Sequence, residues 1–476
     1  MAETQQARHG EPAHQGGQAP QGKRVVVIGG GISGLTCAYR LQRLGLPIIL
    51  LEASDRPGGL VGSQEKDGFL FESGPQSFQG TAGILELIGD LGIEDQLCKA
   101  DPRAPRYVLR GGRLIKVPMS PALVTSSLLG MSSRWKLISE PFRRTRPPTE
   151  EESIAQFVRR KFGHEILEYL VAPFVSGVYA GDPEKLSLRA AFPTLEEWER
   201  EYGSVLRGAM KSRPANGESR SAPPLCSFRK GLNTLGQTLA NKLGASVRLG
   251  ARVDAVTKKE ANGRSGYQIH VEQAGGRATI EAPAVVVATP TYVASPMLKA
   301  ISSSLTQTLS GIAYAAVAVV ASGYHSRQLG RPADGFGFLV PRAEKVRTLG
   351  TVWNSCLFPG RARDGAVAMT SFIGGATDPN ILSNSADEIS RVVREDNAKI
   401  LDISGPAIAT AIWKHEKALP QYNLGHVHAV RAIREAERLI PGLFLAGNYL
   451  QGPALGKCVE QAYETADAVR SFLGAA

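Results

Sequence analysis

The chain has 476 residues, 43% of them hydrophobic, enough for two or three domains sharing a large buried core and more than a single binding module needs. Its 55 Lys and Arg outnumber 44 Asp and Glu, and the resulting charge of +11 favours anionic partners, a carboxylated substrate or an anionic membrane surface, ahead of nucleic acid, for which no binding motif is present. Five scattered cysteines without a CxxC pair argue against a disulfide framework or a zinc site and fit a reducing, cytoplasmic compartment, and no stretch reaches the roughly 20 apolar residues of a spanning helix.

Residues 1–22, rich in Gln, Gly, His and Pro, read as a disordered tail and not as a secretory signal. Val25-Val26-Val27-Ile28 then reads as a buried parallel strand, followed by a glycine loop, a helix to about Leu44, and a second buried strand, Ile48 to Leu51, ending at Glu52. In this βαβ context Gly29, Gly31 and Gly34 form an informative GxGxxG, with Gly30, Ile32 and Ser33 completing the loop. The first glycine permits the tight turn, the second the approach of a pyrophosphate, and the third close helix–strand packing. The helix N-terminus offers unpaired N–H groups to phosphate, and Glu52 is placed to accept from ribose hydroxyls. Ala53 to Gly59 follows, in which Arg56 is expected to meet phosphate and the Gly58-Gly59 pair to admit close backbone approach. With GFLFESGPQSF at 68–78, this extension favours FAD over NAD.

Further along, 115–225 is mainly helical in pattern, broken at Pro141, Pro147 and Pro148, with an exposed Ser/Pro/Gly-rich loop at 212–224. Between Pro118 and Pro148, Leu128, Met131, Trp135 and Ile138 mingle with Arg134, Lys136, Arg143, Arg144 and Arg146. The mixture suits a helix lying in an anionic interface, and suits almost equally an amphipathic helix packed on its own domain. Alternating runs at 315–321 and 367–373 predict a sheet that roofs the flavin. Strand-like runs at 284–288 and 443–446 and a last helix from about Cys458 to Leu473 return the chain to the nucleotide fold. The fold class expected is α/β: a discontinuous Rossmann-type FAD-binding domain (23–105, 226–299 and 416–476), a sheet-based substrate domain (106–114 and 300–415) and a helical, membrane-associating insertion (115–225).

From about Lys23 to Phe472 the chain resembles the protoporphyrinogen oxidase family, within the amine-oxidase-like flavoproteins. The stretches that carry the resemblance are GVYAGDP at 177–183, Leu186-Ser187 to Phe192-Pro193, GFGFLVP at 335–341, Trp413 with PQYNLGH at 420–426, Ala446-Gly447-Asn448, and Gly452 to Cys458. The resemblance implies non-covalent FAD held at the glycine loop, Glu52, Ala53, Gly59, Leu60, Gly74, Pro75, Gln76, Ser77, Val253, Trp413, Asn448, Leu455, Gly456 and Lys457. It places a porphyrinogen against Arg106, whose planar fork suits a propionate, with Phe336 and Leu339 as sandwiching walls and Gly177 leaving room for its edge. The implied reaction is oxidation of protoporphyrinogen IX by dioxygen with release of hydrogen peroxide, in haem biosynthesis. Membrane contact, where it occurs, would be peripheral and on the cytoplasmic face; oligomeric state is open, a dimer included.

Coproporphyrinogen III is the nearest alternative substrate, the same family using both. An amine oxidase, a carotenoid desaturase and a non-catalytic flavin sensor are remoter alternatives. No general acid or base is assigned, His164, His270, His325, His415, His426 and His428 all lying outside the substrate motifs.

Overall fold

Val25–Ile28 is the central strand of a five-stranded parallel sheet. Its neighbours are Ile48–Leu51 and then Val247–Arg248 on one side, Val285–Val287 and then Leu443–Leu445 on the other, so the sheet gathers the start, middle and end of the chain. Val25, Val26, Val27 and Ile28 are buried because both faces are covered, which is why the run is continuously apolar. Helices Ile32–Arg43, Asn233–Leu243 and Leu455–Ala475 pack on one face through Leu35, Leu41, Leu235, Leu239, Val459 and Ala462. The other face carries the antiparallel strands Arg252–Ala261, Arg264–Gln273 and Gly276–Ala282, with Tyr267 and Ile269 in the core. The computed structural model describes residues 24–118, 121–212, 223–261 and 264–475, so the expected tail at 1–22 and most of the loop at 212–224 lie outside the described residues.

A seven-stranded sheet forms the second layer, in the order Ala409–Pro420, Tyr314–His325, Ala366–Gly374, Thr348–Val352, Gly337–Leu339, Arg106–Arg110, Arg113–Lys116. Arg106–Arg110 pairs in parallel with Gly337–Leu339, setting Arg106 opposite Gly337. The expected alternation at 315–321 gives way to burial on both faces. Val317 and Val319 face the interior cavity, while Ala318 and Val320 pack under Ile389 and Val393 of a helix, Ala386–Leu401, that the sequence pattern did not suggest. The last helix begins at Leu455, a turn before the expected Cys458. Leu455 is buried against the cofactor-domain core, and Gly456 sits where a Cβ would come 2.7 Å from Thr81 Oγ1.

The helical module is organised around Ile154, Phe157, Val158, Val175 and Tyr179. Within it Lys161, 3% exposed, meets Glu140 at 3.2 Å and Glu199 at 3.1 Å, and Arg160 meets Glu199 at 2.7 Å. Burial raises the Glu199 carboxyl, but hydrogen bonds from Arg160, Thr145 and Lys161 outweigh it and hold the group at about 2. Among the described residues no helix is long and apolar enough to cross a membrane.

Candidate active site

One cavity of about 1790 Å³ runs between the nucleotide sheet, the seven-stranded sheet and the helical module. At its nucleotide end Gly29 has φ of 107°, and a Cβ there would lie 2.8 Å from the Ala288 carbonyl. A Cβ on Gly34 would drive into the Gly29 carbonyl, so helix and loop pack backbone to backbone. Gly31 has open space where its Cβ would be, and with Ile32 and Ser33 it lines the cavity. The helix that starts there has no side-chain cap and no acid in its first turn. Glu52 also faces the cavity, accepting from the Gly30 N–H and, at 2.8 Å and 2.7 Å, from the Ser54 N–H and hydroxyl. Ala53, Gly59, Leu60, Gly74, Pro75, Gln76, Ser77, Val253, Asn448, Leu455 and Lys457 complete this wall.

Five expected residues stand off it. Gly30 and Gly34 act through packing, and Gly456 fits against Thr81. Arg56, expected at phosphate, instead donates to the carbonyls of Val61 at 3.0 Å and Gly59 at 2.7 Å, propping the glycine pair that approaches Gly31. Trp413 is not brought to the cavity wall either. It packs among Phe69, Phe71 and Val319, and the cavity is reached from its strand by His415 and Lys417.

At the far end Arg106, Phe336, Leu339 and Gly177 converge. The Arg106 guanidinium lies 5.2 Å from the Phe336 ring centroid, the Phe336 N–H donates to the Pro105 carbonyl at 2.8 Å, and a Cβ on Gly177 would lie 2.8 Å from Leu339 Cδ2. Val317, Val319, Leu349 and Phe372 extend the apolar surface. Burial, with Asp334 as hydrogen-bond partner at 2.8 Å, pushes the Tyr107 phenol up to about 12, so this cavity residue stays protonated.

A match to the family described as flavin-containing amine oxidoreductase spans residues 32–470. The chain belongs to the flavin-containing amine oxidoreductases. Within it the chain is 37% identical to the chloroplastic protoporphyrinogen oxidase of Nicotiana tabacum, over 94% of this chain and 85% of that one. It is 29% identical to a coproporphyrinogen III oxidase of Bacillus subtilis, over 92% and 96%. A crystal structure from Exiguobacterium sp., provisionally assigned as a protoporphyrinogen oxidase, superposes with a TM-score of 0.80 at 25% identity, covering 94% of this chain and 99% of that one.

As in other flavin-containing oxidoreductases, the cofactor is a flavin, and the residues present fit FAD. An uncapped helix N-terminus, the vacant space above Gly31 and the buried, unpartnered hydroxyl of Thr289 on the same wall all suit a pyrophosphate and sugar. The volume exceeds the roughly 300–1,000 Å³ of a one-ligand pocket, leaving room for a second large molecule beside the dinucleotide. His415, which motif position excludes from the site, lies on the cavity wall, and its Nε2 donates to the Ser73 carbonyl at 2.7 Å. His426 stays outside, donating Nε2–H to the Tyr449 carbonyl at 2.9 Å; burial lowers its pKa and keeps it neutral. Alternation along Ala409–Pro420 would have put 413, 415 and 417 on one face. It does not tell which end of that face is covered by Phe69 and which lines the cavity.

Proposed function

We propose that the enzyme oxidises protoporphyrinogen IX to protoporphyrin IX with dioxygen as the final acceptor, releasing hydrogen peroxide, as a step of haem biosynthesis. The observation that carries this is the juxtaposition of Arg106, Phe336, Leu339 and Gly177 in a cavity with room for more than the dinucleotide. Non-covalently bound FAD, when present, supplies a two-electron acceptor that dioxygen regenerates, so the six hydrogens of a porphyrinogen leave in three rounds. Arg106 anchors one propionate, and Phe336 and Leu339 flank the macrocycle and exclude water. The flavin wall would comprise the residues from Gly29 to Lys457 that line the nucleotide end. Turnover of protoporphyrinogen IX, followed by porphyrin fluorescence in air, tests the proposal; bound flavin with no turnover would end it.

Coproporphyrinogen III is a second reading, favoured by a further cation on the cavity lining, Lys417, since its additional propionates need partners. Exclusive use of coproporphyrinogen in the same assay would select it.

Peripheral contact with an anionic, cytoplasmic membrane face is supported by one feature. Met131, Trp135, Ile138 and Phe142, at helical spacing, are 69%, 68%, 49% and 78% exposed, close to Arg134, Lys136 and Arg143. Trp135 is not packed under its own domain. Co-sedimentation with anionic liposomes at low salt, lost in Trp135→Ser with Phe142→Ser, tests this; failure of the parent to sediment would refute it.

A further inference from the structure

The wall segment from Glu72 to Ser77 belongs to the nucleotide side by sequence, yet side chains from the substrate side hold it. Arg361 Nη1 meets Glu72 Oε1 at 2.9 Å, with both side chains 1% exposed. His415 binds the Ser73 carbonyl, and Asn354 Nδ2 donates to Gln76 Oε1 at 2.7 Å. The third link differs from the others in where it leads. Gln76 Nε2 donates to the carbonyls of Gly74 at 2.8 Å and Glu72 at 3.3 Å. Carbonyls only accept, so Gln76 presents its oxygen to Asn354, Asn354 presents its amide nitrogen in return, and Asn354 Oδ1 accepts a hydrogen bond from the Thr370 hydroxyl at 2.9 Å. Two backbone carbonyls thereby set the polarity of the whole relay.

Asn354 is buried, and the preceding residue, Trp353, donates its N–H to the Phe336 carbonyl at 3.0 Å. Two consecutive residues therefore join the Phe336 wall to the Gln76 wall. The connection from the Phe336 backbone to Gly74 thus runs through Trp353–Asn354 and one amide–amide bond.

We infer that Asn354 is a positioning residue that sets the flavin-side wall through Gln76 and couples it to the substrate wall. Only the turnover arm of its test rests on the porphyrinogen reading. The holoenzyme is compared with Asn354→Leu, Gln76→Met, the double variant and Thr370→Val. Loss of one buried neutral hydrogen bond corresponds to about fivefold to tenfold. Asn354→Leu is expected to lower kcat by that factor with KM within about twofold. A fivefold change in the relative binding of oxidised and reduced flavin moves the two-electron midpoint potential by about 20 mV, measured without substrate. The double variant should match Gln76→Met alone, because both act through one bond. Parental potential and kcat with only a lowered melting temperature would reduce Asn354 to a packing role, and full additivity would also overturn the inference. Should Asn354→Leu fail to retain flavin, Thr370→Val decides: it keeps both amides and removes only the orienting donor, so a shift of about twofold to threefold supports the relay and an unmoved potential overturns it. A shifted potential without porphyrinogen turnover would sink the proposed function alone; an unmoved potential with normal turnover would sink this inference alone.

Discussion

Replacing Arg106 with alanine removes the guanidinium that lies 5.2 Å from the Phe336 ring centroid. Among the described residues no acid pairs with Arg106, so its fork is available to a carboxylate of the ligand. A charge-assisted hydrogen bond contributes about 1.5–3 kcal/mol, and a cation over an aromatic ring about 0.5–1 kcal/mol at a partly exposed site. Arg106 is half-buried, which favours the lower part of the first range. The expected loss is about 2 kcal/mol, or about 30-fold in kcat/KM. KM should carry most of it, because the carboxylate is held equally in ground and transition states. Arg106→Lys keeps the charge and loses the fork, with an expected loss of about fivefold. Initial rates of porphyrin fluorescence, normalised to bound flavin by visible absorption, measure both variants. Arg106→Ala within twofold of the parent, or a loss matched by loss of flavin, would refute the assignment of Arg106 to substrate.

Gly177→Ala brings a Cβ to 2.8 Å from Leu339 Cδ2, which must swing into the cavity; KM is expected to rise about threefold to tenfold with flavin content unchanged in visible spectra. Gly34→Ala forces a methyl into the Gly29 carbonyl, and the purified protein should lack the flavin absorption band. Lys161→Met leaves Glu140 and Glu199 buried without their shared cation, and denaturant titration should show a loss of about 3 kcal/mol. Glu199 is held at about 2 against an ordinary 4.5, so its contribution is complete above pH 4.5 and lost as pH falls from 4.5 towards 2. Melting temperatures over that window should fall less steeply in Glu199→Gln than in the parent.

Much of the nucleotide half was legible because local rules specify it. Continuous apolar runs mean strands buried on both faces, and each glycine of GxGxxG answers a backbone approach that can be named in advance. Arg56 shows where such rules stop. A cation after a phosphate motif is expected at the phosphate, but the nearest acceptors are the carbonyls of Gly59 and Val61, and sequence distance does not say which way a long side chain turns. His415 and Trp413 show the same limit on one strand: a common face follows from the two-residue period, while its partner depends on which distant element lies beneath.

By itself the sequence determined the cofactor class, the βαβ unit around the glycine loop and the residue types suited to a carboxylated macrocycle. Tertiary structure alone decided that Arg56 turns to the carbonyls of Gly59 and Val61, that Arg361 neutralises Glu72, and that Asn354 reaches Gln76 across 278 positions. Periodicity and turn chemistry act over a few residues and are written locally. A hydrogen bond between two remote side chains exists only once the sheets have brought their backbones together.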